Sequence, residues 1–209
     1  MRILLIAPLV DIPTVVSNLA VFEIMEYADT KPNIDIDYLP GIMANRFMYL
    51  LHTAFKKYDL IIYYGHGERD KLMGNHIYWS IINKKNVRKT KLTPFDTMAC
   101  YSAKGLGAFA VKQGAKAYIG TIDLYYAAFP EKEHNFLRDW IDYTTIKTKA
   151  LLDGATFGEA YNLFRKRAIS YLTLYKKSLG YRNYDWYAKT LAHNINKTIL
   201  LGDKNARLV

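Results

Sequence analysis

The sequence is poor in cysteine, and this scarcity excludes several kinds of site. The chain of 209 residues has one cysteine, Cys100, so it cannot form an internal disulfide or a metal site built from several thiolates. A single cysteine serves packing, pairing with another molecule or reactivity. Its sequence surroundings have to decide among these three roles.

Long hydrophobic runs are missing as well. No stretch approaches the ~20 apolar residues that a membrane-spanning helix needs. The first residues, MRILLIAPLVDIPT, place an arginine before an apolar run as a signal peptide does, but Pro8, Asp11 and Pro13 break the run and no cleavage site of small residues follows. The segment therefore predicts a first buried strand, and we expect a cytoplasmic protein without membrane contact.

Acidic residues are few in relation to basic ones, with 19 against 29 and a formal net charge of +10. Such a charge favours acidic partners but does not name them. The basic clusters at 84–91 and 165–167 are typical of solvated faces, and no nucleic-acid recognition motif accompanies them. Binding of nucleic acid is therefore a weaker alternative. The single glutamine, Gln113, beside abundant Lys, Ile and Tyr favours a thermophilic source.

The apolar segments that are present alternate between strand and helix patterns. Strands are predicted for RILLIAPLV, IDIDYLPG, LIIYYG, FDTMACYS, AKAYIGTID and the final TILLG, and IYWSII predicts a short strand or hairpin edge. Helical periodicity appears between them, and AKGLGAFAVKQG has Gly114 as its C-terminal signal. We expect one α/β domain over residues 1–209, with three layers and a mostly parallel sheet covered by helices on both faces.

His66 and Cys100 each follow a predicted buried strand. Because the carboxyl ends of parallel strands meet at one edge of a sheet, we expect both side chains to face one cleft. A thiolate can attack a carbonyl and an imidazolium can protonate the departing amine. Gly67 lacks a side chain, so its amide and that of Cys100 can form an oxyanion hole, while a helix starting near Ser102 would favour the thiolate.

A structural interpretation of the same two residues stays open. A lone cysteine is usually a small buried apolar residue, and a histidine beside a turn is often a hydrogen-bonded cap. The other histidines show no spacing typical of a metal site. We expect no metal and no cofactor.

Two of these segments, IIYYGHG and TMACYSA, resemble the signature blocks of the caspase and gingipain clan of cysteine peptidases. AYIGTID resembles the next core strand of gingipain-type and CHAT-type domains, and GATFGEAYNLFRKRA and TILLGDKNARL resemble late segments of gingipain-type domains. The resemblance covers residues 55–209 and implies a caspase-like fold with peptide-bond hydrolysis. It implies Cys100 as nucleophile, His66 as general acid and base, and the Gly67 and Cys100 amides as the oxyanion hole.

The sequence departs from the gingipain pattern where substrate specificity is expected. Gingipain-type enzymes that cleave after Arg or Lys hold that side chain with a carboxylate, and Asp123 and Asp11 are the candidates here. Asp11 can instead orient His66, and either carboxylate can be a turn residue or a helix cap. Tyr125 and Tyr126 are candidates for the wall of a substrate pocket.

The interpretation that best unites these features is a cysteine endopeptidase acting on a protein or peptide substrate. Two alternatives remain: a catalytically inactive caspase-like fold used as a protein-interaction or assembly module, and a basic nucleic-acid-binding protein. Oligomeric state and residue preference before the scissile bond are not visible in the sequence.

Overall fold

A computed structural model describes residues 1–76, 79–127, 134–177 and 184–208. Strands and α-helices follow one another in these ranges as β1 (Arg2–Ala7), α1 (Ile12–Asp29), β2 (Asp35–Pro40), α2 (Arg46–Phe55), β3 (Leu60–Tyr64), β4 (Gly67–Glu68), β5 (Lys71–Met73), β6 (Ser80–Asn83), β7 (Phe95–Met98), α3 (Ala108–Lys112), β8 (Ala117–Thr121), α4 (His134–Leu152), α5 (Phe157–Lys177), α6 (Tyr184–Lys197) and β9 (Thr198–Gly202).

The central sheet has six strands in the order β2-β1-β3-β7-β8-β9. The pairs from β2 to β8 are parallel, and β9 runs antiparallel to β8 at one edge. The predicted mostly parallel α/β sheet, including the final strand, is therefore confirmed. Strands β1, β3, β7 and β8 all deliver the residues that follow them to the same edge of the sheet.

Helices cover both faces of this sheet, as predicted. Alternate residues of β1, β3 and β8 pack against α1, α4, α5 and α6 on one face, and the intervening residues pack on the α2 and α3 side. Because both faces are buried, these strands are continuously apolar in sequence. Within the described residues, no helix is long and apolar enough to cross a membrane.

Two local predictions are refined by the structure. The IYWSII segment contributes β6, which pairs with β5 in a small antiparallel sheet β4-β5-β6, and residues 77–78 lie outside the described ranges. The helix predicted for AKGLGAFAVKQG begins instead as a π-helical turn over Ala103–Gly107, before the short α3. The amide of Leu106 donates to the Arg69 carbonyl at 2.7 Å, so this amide does not form an α-helical hydrogen bond within its own segment.

Candidate active site at the carboxyl edge of the sheet

His66 and Cys100 lie beyond the ends of two adjacent strands. β3 and β7 are paired through Tyr64 and Met98, His66 follows the first strand and Cys100 the second. Both residues line one cavity of about 210 Å³, which we call the Cys–His cavity. The His66 side chain is 34% exposed, and Cys100 is half-buried. The structure thus brings together the two residues predicted to face one cleft.

A strained turn presents Cys100 at the end of β7. The next residue, Tyr101, has φ of 55°, a left-handed conformation that is uncommon for a bulky side chain. Hydrogen bonds from neighbouring segments hold the turn: the Tyr101 amide donates to the Asp123 carbonyl at 2.9 Å, and Thr121 Oγ1 donates to the Ala99 carbonyl at 2.5 Å. Such strain persists only where the surrounding structure enforces it, and it is concentrated at functional sites.

The surroundings of the sulfur favour the thiol at neutral pH. Burial raises the pKa of Cys100, and hydrogen bonds from the amide of Tyr125, 3.3 Å from Sγ, and from its own amide lower it only in part. The net pKa is above the ordinary value. This is opposite to the expectation that a helix starting near Ser102 favours the thiolate, because burial of the sulfur outweighs the two amide hydrogen bonds.

Asp11 holds the imidazole of His66. The Oδ2 atom of Asp11 lies 2.7 Å from Nε2 of His66, and Oδ1 accepts the Thr14 amide at 3.1 Å as the N-cap of α1. Burial raises the pKa of Asp11, but hydrogen bonds from His66 and Thr14 outweigh it and the net pKa lies below the ordinary value. When the ring is neutral, the carboxylate requires the proton on Nε2, so Nδ1 carries the lone pair.

Gly67 approaches the end of β7 closely. A Cβ atom at this position would lie 2.7 Å from the Cys100 carbonyl oxygen and 2.9 Å from Cβ of Ala99. The Met73 amide donates to the His66 carbonyl, so His66 and Met73 form a hydrogen-bonded pair of the antiparallel ladder. Such pairs alternate with pairs that share no backbone hydrogen bonds, and Gly67 with Leu72 is a pair of the second kind. The Gly67 amide is therefore directed away from β5. Only glycine fits this contact with the Cys100 segment.

The two other predicted substrate-binding residues occupy different positions. Tyr125 lines the Cys–His cavity, and its hydroxyl is hydrogen-bonded to Thr144 Oγ1 at 3.0 Å. Asp123 does not line the cavity: its carboxylate accepts the Leu124 amide at 2.9 Å and pairs with Lys197 at 3.4 Å, and these contacts lower its pKa. Substrate binding by Asp123 stays a prediction that its position does not support.

Sequence reasoning missed some contributors to this site. The left-handed Tyr101 carries no sequence signal, because glycine and asparagine are the residues usually associated with that conformation. The sequence predicts Tyr125 as a candidate pocket wall, but it does not predict that the Tyr125 amide donates to the Cys100 sulfur. In the described ranges, no three His, Cys, Asp or Glu side chains are grouped so as to hold a metal ion.

Comparison with known proteins bears on the fold. No family model matches the chain, and no curated protein matches its sequence. The crystal structure of the Arg-specific cysteine proteinase gingipain R superposes with a TM-score of 0.63 over 99% of this chain and 47% of that one, at 16% identity. The fold is caspase-like. A complex of the pro- and mature domains of Porphyromonas gingivalis RgpB gives 0.62 at 12% identity, covering 99% and 48%. The chain thus spans about half the length of these gingipain structures, and at such identity the shared property is the fold.

Proposed function

We propose that this protein is a cysteine peptidase in which Cys100 is the nucleophile and His66 the general acid and base. One observation carries the proposal: a lone thiol and an imidazole oriented by a carboxylate line the same cavity from two adjacent strand ends. The strained Tyr101 turn and the closely packed Gly67 lie beside them. This arrangement supplies a nucleophile, a proton carrier and backbone donors, which are the parts that acyl transfer requires.

Acylation begins with proton transfer from the Cys100 thiol to Nδ1 of His66. The sulfur attacks the peptide carbonyl carbon, and the carbonyl electrons move to an oxyanion that the Gly67 and Cys100 amides stabilise. The tetrahedral intermediate collapses, the C–N bond breaks, and the imidazolium gives its proton to the departing amine. The Asp11 carboxylate stabilises the imidazolium that exists between these two transfers.

Deacylation uses the same groups with water as the nucleophile. His66 Nδ1 takes a proton from water, the resulting hydroxide attacks the thioester, and the C–S bond breaks. Cys100 leaves as a thiolate and recovers its proton from the imidazolium, so the enzyme returns to its starting state. The Tyr125 amide, 3.3 Å from Sγ, stabilises the leaving sulfur.

The lining of the Cys–His cavity favours an uncharged residue before the scissile bond. Of the described residues that line it, none is Asp, Glu, Lys or Arg, and Met98, Ala99 and Tyr125 give it an apolar wall. Its volume of about 210 Å³ exceeds the ~150 Å³ that accommodates a benzene ring, so Leu or Phe would fit. The gingipain is Arg-specific, whereas the cavity of this chain has no carboxylate among its described lining residues to hold an arginine.

The test combines thiol labelling with peptide cleavage. Because thiolate is the reactive form and burial raises the Cys100 pKa, iodoacetamide labelling of the folded protein should increase with pH and reach half its maximum above the ~8.5 of an ordinary thiol. The protein unfolded in denaturant, with the same single thiol, is the control and should show the ordinary midpoint.

Cleavage of a diverse peptide library by the native protein should favour Leu or Phe over Arg and Asp before the cut. Cys100→Ala should abolish cleavage, and His66→Ala should lower it by about 10²-fold or more. A folded protein whose thiol resists labelling at every pH, and which cleaves no peptide, would instead support a non-catalytic interaction module. A preference for Arg would refute only the proposed specificity.

A further inference from the structure

A second cavity lies at the opposite edge of the sheet, where β3, β7 and β8 begin. It has a volume of about 560 Å³ and is walled by four separate segments. These are the α2–β3 connection, the loop before β7, the α3–β8 connection and the segment after β9. None of the described residues lines both this cavity and the Cys–His cavity. We call it the basic cleft.

Its charged lining is mostly basic. The only carboxylate among the described lining residues is Asp59, whose Oδ2 accepts the Arg2 amide at 2.7 Å. The cations of the basic cleft come from all four segments: Lys56, Lys57, Lys89, Lys91, Lys116 and Arg207. A concave, one-sign charge distribution raises the local concentration of ions of opposite charge.

Most of these cations have no ion-pair partner in the part of the chain that the structure describes. Lys56 pairs with Asp37 at 2.6 Å, and Arg207 lies 3.6 Å from Glu159. No ion pair with another part of the described chain is found for the remaining four lysines of the basic cleft, 57, 89, 91 and 116. Four lysines without an ion pair in the described chain give the cleft a positive potential, which an anion bound there would offset.

The loop that carries Lys89 and Lys91 is strained. Leu92 has φ of 71°, a left-handed conformation, although its side chain is bulky and 62% exposed. Two hydrogen bonds of Thr93 keep the loop in place: its Oγ1 donates to the Tyr58 carbonyl at 3.0 Å and its amide donates to the Thr90 carbonyl at 3.1 Å. The fold therefore accepts an unfavourable backbone conformation where the two lysines reach the cleft, as is common at binding sites.

We propose that the basic cleft binds a small polyphosphate, with a nucleoside triphosphate as the best-fitting ligand. Lysine ammonium groups bind phosphate as point charges, and the volume lies in the range of small-molecule sites. Phe55, 81% exposed, lines the same cleft and offers an apolar ring face to a nucleobase. Cations that four segments contribute to one concave space suit a compact ligand better than an extended nucleic-acid strand.

The test is calorimetric titration of the full chain with inorganic triphosphate and with ATP. Both should bind saturably at one site per chain, with affinity that falls as salt rises. ATP should bind more tightly than triphosphate, and Phe55→Ala should remove that difference. Equal affinity of the two ligands for the native protein would overturn the nucleotide assignment and leave a site for polyphosphate alone.

A matched pair of variants separates a built site from general attraction to a basic protein. Lys89→Glu with Lys91→Glu changes two exposed cleft residues and should weaken binding by about tenfold for each lysine. Lys166→Glu with Lys176→Glu makes the same charge change on exposed positions of α5 and should leave affinity within about twofold. Equal weakening by both pairs, absence of one-site saturation, or tighter binding of a single-stranded oligonucleotide at equal phosphate concentration would overturn the proposal.

Discussion

Asp11 divides its carboxylate between two partners, and substitutions can separate these two contributions. Oδ1 caps α1 through the Thr14 amide, and Oδ2 contacts Nε2 of His66 at 2.7 Å. Asp11→Asn retains a cap oxygen but loses the charge beside the imidazole. Asp11→Ser also retains a cap oxygen, and it is too short to reach His66. Asp11→Ala loses both contacts.

The expected magnitudes follow from these contacts. A hydrogen bond to a charged group contributes about 1.5–3 kcal/mol, and since the Asp11 side chain is 40% exposed we take about 1–2 kcal/mol for the imidazolium. This corresponds to a loss of about 5- to 30-fold in kcat/KM for Asp11→Asn, with a loss at least as large for the serine and alanine variants. Of the three variants, only Asp11→Ala loses the helix cap, and its free energy of unfolding should fall by ~1 kcal/mol, or about 2–4 °C in Tm.

Two measurements on each variant provide the test: kcat/KM on a peptide that the native protein cleaves, and Tm by scanning calorimetry. The Asn and Ser variants should keep the native Tm and lose activity, whereas the Ala variant should lose both. If Asp11→Ser cleaves as fast as the native protein, Asp11 is a helix cap and does not position His66. If all three variants lose Tm equally, the separation of the two oxygens is wrong.

Two further substitutions test the core and the oxyanion hole. Lys147→Met leaves the fully buried Asp96 without its cation and should lower the free energy of unfolding by about 3–5 kcal/mol, which is about 6–20 °C in Tm by calorimetry. The control, Lys166→Met on the surface, should change Tm little. Similar Tm values for the two variants would contradict the ion-pair assignment. Gly67→Ala places a Cβ 2.7 Å from the Cys100 carbonyl oxygen and should shift the Gly67 amide, lowering kcat by about 10²–10³-fold. Unchanged peptide cleavage would contradict the need for this close contact in the oxyanion hole.

The sheet was predictable from sequence because burial on both faces gives continuous apolar strands. RILLIAPLV and LIIYYG contain β1 and β3, and the turn residues around them mark where the strands end. The juxtaposition of His66 and Cys100 follows from the same logic, since adjacent parallel strands open at one edge. Topology therefore conveys much of the site before any side-chain contact is known.

Contacts between segments that are distant in the chain could not be predicted from the sequence. The helix predicted after Cys100 starts as a π-helical turn because the Leu106 amide bonds to the Arg69 carbonyl, and nothing in AKGLG signals that partner. The sequence left Asp11 as substrate ligand, histidine partner or cap, and the contacts with His66 and Thr14, which fit the last two roles, appear only in three dimensions. Hydrogen-bond partners that come from distant segments leave no local pattern in the sequence.

The buried pair of Asp96 and Lys147 shows how the core reaches the candidate site. Lys147 Nζ lies 2.8 Å from Asp96 Oδ1 and donates to the Thr144 carbonyl at 3.1 Å. Thr144 Oγ1 in turn is hydrogen-bonded to the Tyr125 hydroxyl, and the Tyr125 amide donates to the Cys100 sulfur.

An ion pair in a protein interior is a poor source of stability, because apolar residues of similar volume often serve as well. The hydrogen bond that Thr148 donates to Asp96 is directional, however, and together with the ion pair it joins α4 to β7 at one register. We infer that this register, more than any gain in free energy, is what the buried charges provide. It places Thr144 against Tyr125 and so fixes the amide that faces the sulfur.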